Sequence, residues 1–267
     1  MAANRAVPPA LSVLLLAVAC ASKPDDAQPR ATETAREPSA SAALAPSAAP
    51  TLAAISPPPS RPTAPQCRQQ PAQEFLLRKG QIAKIGASAS EQRAIEEARR
   101  RSIEYRTRHY GRVSGFGRRS DNRHPPSFYA QRTTFMGLPL VVSRKVVPAL
   151  ACVEAALKRE CAAESYRPRQ VGGLRSENTF KDYEVSNHTY GIAIDIDPQL
   201  NPCCHCVGFW AENPVCRKKV STPYERMAMP KCWVEVFERY GFHWLGHDEL
   251  EDTMHFDFLG DPDRVLE

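Results

Sequence analysis

The sequence predicts an α+β fold with a largely antiparallel sheet, stapled by disulfides. Three observations carry that reading. First, two stretches near the C-terminus alternate at the period of a strand. In Gly191 to Asp197 the isoleucines 192, 194 and 196 alternate with Ala193, Asp195 and Asp197; in a second stretch Phe256 and Phe258 alternate with His255 and Asp257. Second, strand-like and helix-like segments are mixed without regular βαβ alternation, which favours antiparallel pairing. Third, eight cysteines follow residue 66, an even number that suits disulfides in an exported protein.

The N-terminal part of the 267-residue chain takes no part in that fold. Arg5 precedes an apolar run from Ala10 to Ala19 that ends at Cys20. The run is too short to cross a membrane, so residues 1–20 read as a secretory signal. Small residues directly before a cysteine resemble a bacterial lipoprotein box, although Ala17 stands where leucine is usual. Cys20 would then carry lipid and anchor an exported protein of the cell envelope or periplasm to a membrane. An ordinary signal peptide cut near Ala19 or Ala21 is the alternative. Residues 21–66 hold ten prolines, thirteen alanines and six serines with no glycine or aromatic, too little apolar bulk to offset the entropy of ordering. They read as a disordered tether with a reach on the order of 100 Å. Residues 67–267 are left as the folded domain, ample for one core. A net charge of +5 is mild, and no helix-turn-helix, RNP or zinc-finger motif is present, so nucleic acid is not an expected partner.

Within the domain, Glu91 to Tyr105 reads as a surface helix. The arginine- and glycine-rich run from Arg106 to Arg123 reads as a solvated face, with contact to an anionic polymer as its alternative. Thr133 to Ser143 suggests two short strands around Gly137. Pro148 suits the first turn of a helix whose apolar positions 150, 153, 156, 157 and 161 follow the 3.6-residue period. Glu164 to Arg169 leads into a glycine-containing loop. The cysteine-rich loop from Asn201 to Cys216 places Cys203 and Cys204 side by side, where a mutual bond would be strained, so each should seek another partner. A second metal site in Cys203 to Cys206 is the alternative, although no CxxC pair of pairs is present. Thr222 to Glu225 has capping-box spacing, and Pro230 starts a helix with Trp233, Val236, Phe237 and Tyr240 inward and Gly241 as its stop.

Two strands that each bury an apolar face and present His or Asp on the other can build one site between them. His188, Asp195 and His255 would supply two nitrogens and one oxygen to one Zn2+ per chain, leaving a fourth position open, as catalytic zinc sites do. Asp252, three residues before His255, is the candidate proton carrier, and Arg167 the candidate positive donor for a developing oxyanion. Asp197 and Asp257, one strand period from the ligands, read as supporting or solvated carboxylates, with Asp197 able to exchange roles with Asp195. Trp244 reads as a core tryptophan, with a place lining the substrate pocket as its alternative.

The pattern Ser186-x-His188-x-x-Gly191-x-Ala193-x-Asp195, followed by Asp252-x-x-His255, resembles the zinc D-alanyl-D-alanine carboxypeptidases and related peptidoglycan peptidases of the M15 class. Tyr166-Arg167-Pro168 is similar to the loop that carries the transition-state arginine in D-Ala-D-Ala dipeptidases of that class. The resemblance spans roughly residues 130–260. It implies zinc on His188, Asp195 and His255, Asp252 as general base and Arg167 near the scissile carbonyl; Ser186, Tyr166, Gln170 and Trp244 are the candidate substrate contacts. It also implies the small antiparallel sheet flanked by helices shared with the Hedgehog signalling domain. Three departures matter: aspartate stands at 252 where several members carry glutamate, Gln170 follows Arg167 by three residues instead of four, and the loop from Cys203 to Cys216 is an addition. The expected substrate is a peptidoglycan stem peptide losing its terminal D-alanine. The alternatives are an L,D-carboxypeptidase, an L-Ala-D-Glu endopeptidase, a non-catalytic zinc module that binds the wall or a partner, and a metal-free disulfide-stapled binder.

Overall fold

Ser88 opens the first long element. Its hydroxyl accepts from the Glu91 N–H while the Glu91 carboxylate accepts from the Ser88 N–H at 2.7 Å, closing a capping box. The computed structural model of the chain describes residues 66–81, 86–178, 184–206 and 212–267. The predicted signal and lipid-bearing Cys20 lie outside the described residues, as does the tether apart from Gln66. Helix α1 runs Ala89–Tyr110, five residues beyond the end expected from sequence. Its last turns look polar, but Arg106, Thr107 and Tyr110 are buried, so the inward face continues through an arginine.

Strands β1 (Ala130–Phe135) and β2 (Leu138–Ser143) form an antiparallel hairpin in which Phe135 faces Leu138. The turn residues Met136 and Gly137 both have positive φ, 50° and 82°, the hand that two-residue hairpin turns require. Helix α2 (Val147–Glu160) begins with Pro148 in its first turn and buries Leu150, Val153, Ala156 and Leu157. Four further short elements prepare the site: β3 (Val171–Gly172), the one-turn α3 (Asn187–Tyr190), β4 (Ala193–Ile196) and, after the cysteine-rich loop, helix α4 (Lys231–Arg239). Pro230 caps α4, and Gly241, at φ 87°, turns the chain into β5 (Phe242–Trp244). The last strand is β6 (His255–Phe258).

The four strands pair antiparallel in the order β3-β4-β6-β5. The fold is thus α+β with small antiparallel sheets and few helices. Ile194, Phe256 and Phe258 enter a core completed by Phe135, Trp233 and Phe237, with Phe237 stacked on Phe256 at 4.2 Å. Full burial of a side chain such as Phe256 contributes about 2–3 kcal/mol.

The eight domain cysteines pair as 67–152, 161–232, 203–206 and 204–216. Neighbours Cys203 and Cys204 take different partners, as their geometry demands. The first bond ties the start of the domain to α2, and the second ties the end of α2 to α4. Cys203 and Cys206 are bonded to each other, so their thiolates are not available as the metal ligands of the alternative reading.

Candidate metal centre and active site

His188 owes its position to a single buried helical turn. The Ser186 hydroxyl accepts from the His188 N–H at 3.3 Å, and Gly191, at φ 69°, ends the turn in the left-handed region. A Cβ on Gly191 would sit 2.8 Å from Ser143 N, so the close approach of the hairpin also requires glycine. The chain then enters β4, where Asp195 lies directly opposite His255 of β6. Turn and register together bring three buried side chains to one point.

Their ligand atoms lie within 4.8 Å of one another. His188 Nε2 is 3.1 Å from Asp195 Oδ2 and 3.2 Å from His255 Nδ1, and His255 Nδ1 is 2.9 Å from Asp195 Oδ1. The outer ring nitrogens are committed elsewhere. His188 Nδ1 lies 2.6 Å from the Gly173 carbonyl, and His255 Nε2 lies 2.7 Å from Asp257 Oδ1. Both partners only accept, so both outer nitrogens donate, and the neutral rings turn bare lone pairs inward. Two lone pairs and a carboxylate converging in a buried space repel unless a positive charge lies among them. Protons or a cation can supply it, and the N,N,O donor set suits zinc. The residues present therefore fit the metal that their pattern implies.

The electrostatics follow from the same geometry. When protons supply that charge, the inner nitrogens become donors: burial alone would raise the Asp195 carboxyl, but hydrogen bonds from protonated His188 and His255 outweigh it and hold the group far below the usual carboxylate range. For His255 burial works downward, and Asp257 and Asp195 reverse it, holding the imidazolium well above its ordinary pKa. Asp257 is also lowered against its burial, by the charge and hydrogen bond of His255, the Asn187 side chain and the charge of buried Arg106. Asp257 is thus neither solvated nor a ligand atom donor to the cluster; it fixes the tautomer and plane of His255.

Asp252 stands beside this group on the loop before β6. Its Oδ1 is shielded from solvent and has no hydrogen-bond partner. Burial, reinforced by the charge of Asp195 and opposed by that of His255, pushes its carboxyl up to about 7. A carboxyl with that value can both take and return a proton near neutral pH.

The other residues singled out from sequence fall elsewhere. Arg167 is exposed, and its guanidinium donates to the carbonyls of Glu164 at 2.8 Å and Tyr166 at 2.7 Å, on its own loop. Tyr166 donates to Asp197 Oδ2 at 2.7 Å, and the N–H groups of Arg169 and Gln170 donate to Asp197 Oδ1. Asp197 therefore anchors this loop and does not exchange roles with Asp195. The Gln170 side chain is exposed. Ser186 is spent on capping α3. Trp244 is wholly buried, stacks on Tyr224 and donates to the Thr253 carbonyl at 3.0 Å, so it belongs to the core instead of a pocket. Sequence reasoning missed Arg175, which pairs with Asp195 Oδ2 at 2.5 Å. No motif marks it; its place follows from the turn after β3, where the Arg175 N–H donates to the His188 carbonyl at 3.1 Å.

Residues 181–258 fit the family model described as D-alanyl-D-alanine carboxypeptidase, of the M15 peptidases. The matched span contains His188, Asp195, Asp252 and His255. No curated protein and no solved structure matches the chain.

Proposed function

We propose that this chain, which carries the M15-class peptidase signature over residues 181–258, is a zinc-dependent hydrolase of peptidoglycan stem peptides that removes a terminal D-alanine. One observation carries the reading: the inner nitrogens of His188 and His255 and the Asp195 carboxylate converge while Gly173 and Asp257 hold both outer nitrogens. Zinc bound by these three residues would supply Lewis acidity, making water ionisable near neutral pH and polarising a carbonyl.

The protein's own groups do the rest. Asp252 takes the proton from the attacking water and returns it to the leaving amine nitrogen as the C–N bond breaks. Arg175, the guanidinium nearest the ligand set, offers its N–H groups to charge developing on the carbonyl oxygen, the role first expected of Arg167. Arg175→Ala should lower kcat on the order of 100-fold, while Arg167→Ala should stay within a few-fold of the parent in a steady-state assay. The lipid anchor at Cys20 and the spacer after it would hold the domain off a membrane within reach of the wall.

The test is incubation of the full chain with a pentapeptide muropeptide, with and without chelator, following free D-alanine by mass spectrometry. Chelator-sensitive release is the expected result. Chelator-sensitive cleavage at another bond would keep the hydrolase and reassign it as an L,D-carboxypeptidase or L-Ala-D-Glu endopeptidase. C-terminal amides separate these classes, because a carboxypeptidase must hold the free carboxylate. Intact substrate with zinc bound would favour a binding module, against which the buried, unpartnered Oδ1 of Asp252 speaks, since a structural ion needs no proton carrier.

A further inference from the structure

The cysteine-rich loop has no part in the hydrolytic reading, yet the segment that carries Asp252 is laced to it. The Pro202 carbonyl accepts from the Thr253 hydroxyl at 2.9 Å and the Thr253 N–H at 3.3 Å. The Cys204 N–H donates to the Glu251 carbonyl at 3.4 Å and the His205 N–H to the Leu250 carbonyl at 3.0 Å. Cys203 pairs with Asp252 in an antiparallel bridge. Residues 202–205 therefore run as an irregular strand against 250–253, outside the regular sheet.

Two features say that this segment needs holding. Glu251, immediately before the proposed base, has φ 44°, a left-handed conformation that a residue with a side chain adopts only when its surroundings impose it. Asp252 Oδ1 is shielded from water without a partner, a state an unrestrained loop would leave by turning outward. The bond from Cys203 to Cys206 closes the turn that faces this segment, and the bond from Cys204 ties the same turn to Cys216. The sulfurs of Cys203 and Cys206 and a carboxylate oxygen of Asp252 lie within 4.8 Å of one another, so the disulfide is also part of the cover over the carboxylate.

We propose that the Cys203–Cys206 disulfide braces residues 250–253 and thereby positions the Asp252 carboxylate over the ligand set. The role given to Asp252 rests on the hydrolytic reading; the brace itself does not. Cys203 and Cys206 are positioning residues, since they reach the chemistry only through Asp252. A displacement of about 1 Å in a proton-transferring group costs on the order of 100-fold in rate, which sets what loss of the brace can do.

The test compares the full-length double variant Cys203→Ala/Cys206→Ala with the parent and with Cys161→Ala/Cys232→Ala, which opens the disulfide joining α2 to α4. Zinc content, amide hydrogen exchange, and kcat and KM on a muropeptide are measured for each. Opening 203–206 should leave zinc bound, raise exchange across 250–253, and lower kcat roughly 10- to 100-fold with little change in KM. Opening 161–232 should spare kcat. In an Asp252→Asn background the 203–206 variant should lose nothing further, because the base it positions is already gone. Thr253→Val, which keeps every cysteine and removes one tie to Pro202, should shift exchange and kcat in the same direction, and covers the case in which the double variant does not fold. Unchanged exchange at 250–253, a full kcat, or an equal further loss in the Asp252→Asn background would each overturn the brace. A parent that cleaves no stem peptide would overturn the hydrolytic reading instead, and exchange at 250–253 alone would then decide for or against the brace.

Discussion

Asp257 accepts from His255 Nε2, and the cluster depends on that hydrogen bond because it leaves Nδ1 bare toward Asp195. Asp257→Asn keeps the shape but can present an N–H to the same ring atom, which favours the wrong tautomer. Zinc affinity should fall about 10- to 100-fold, measured by competition with a chromogenic chelator. The sign of the pH dependence at Asp252 is also fixed by its surroundings. Its carboxyl is raised from 3.8 to about 7, so burial favours the protonated form. The associated stability is fully present below the unfolded value and is lost as pH rises through about 7. Asp252→Asn should therefore raise the melting temperature of metal-free protein at pH 8 and hardly change it at pH 4. The same variant should keep zinc and lose turnover on the order of 100-fold. Near-normal turnover would remove Asp252 from the role of base.

At the scale of elements, the decisive unit is the turn α3 with its glycine stop. It must deliver His188 inward and then release the chain into β4 within a few residues. Gly191 does both, by its positive φ and by allowing Ser143 N–H to donate to its carbonyl at 2.7 Å. Gly191→Ala asks an L-residue to adopt the left-handed region and drives a methyl toward Ser143 N. Destabilisation of about 2 kcal/mol or more is expected in urea unfolding, with loss of zinc at lower denaturant than the main transition. The hairpin, α2 and α4 were legible in sequence because turn chemistry, proline placement and the 3.6-residue period are local. The extension of α1 to Tyr110 was not, because Arg106 looks like a surface residue and becomes an inward one only when Asp257 and Leu76 lie beside it.

At the scale of the whole molecule, the described residues from Cys67 onward are held by two long-range disulfides as well as their core. The bonds 67–152 and 161–232 close 85 and 71 residues of chain, each removing about 4–5 kcal/mol of unfolded-state entropy in the chain-closure account. Cys161→Ser/Cys232→Ser should lower stability by about 2–5 kcal/mol in denaturant titration while leaving the metal group assembled, since the bond joins α2 to α4 and neither cysteine lies on a strand of the site. The sequence by itself determined the class of fold, the separate partners of Cys203 and Cys204, and the set of three residues that converge, because each rests on period, spacing or the geometry of neighbours. Only tertiary structure decided how the supporting residues are used. Ser186, Tyr166, Asp197 and Trp244 are spent on caps, loop anchors and core, while Arg175 and Asp257 stand at the ligand set. A residue's type gives its chemistry, but whether that chemistry is free or already engaged depends on partners that lie far away in the chain, and only folding brings those within reach.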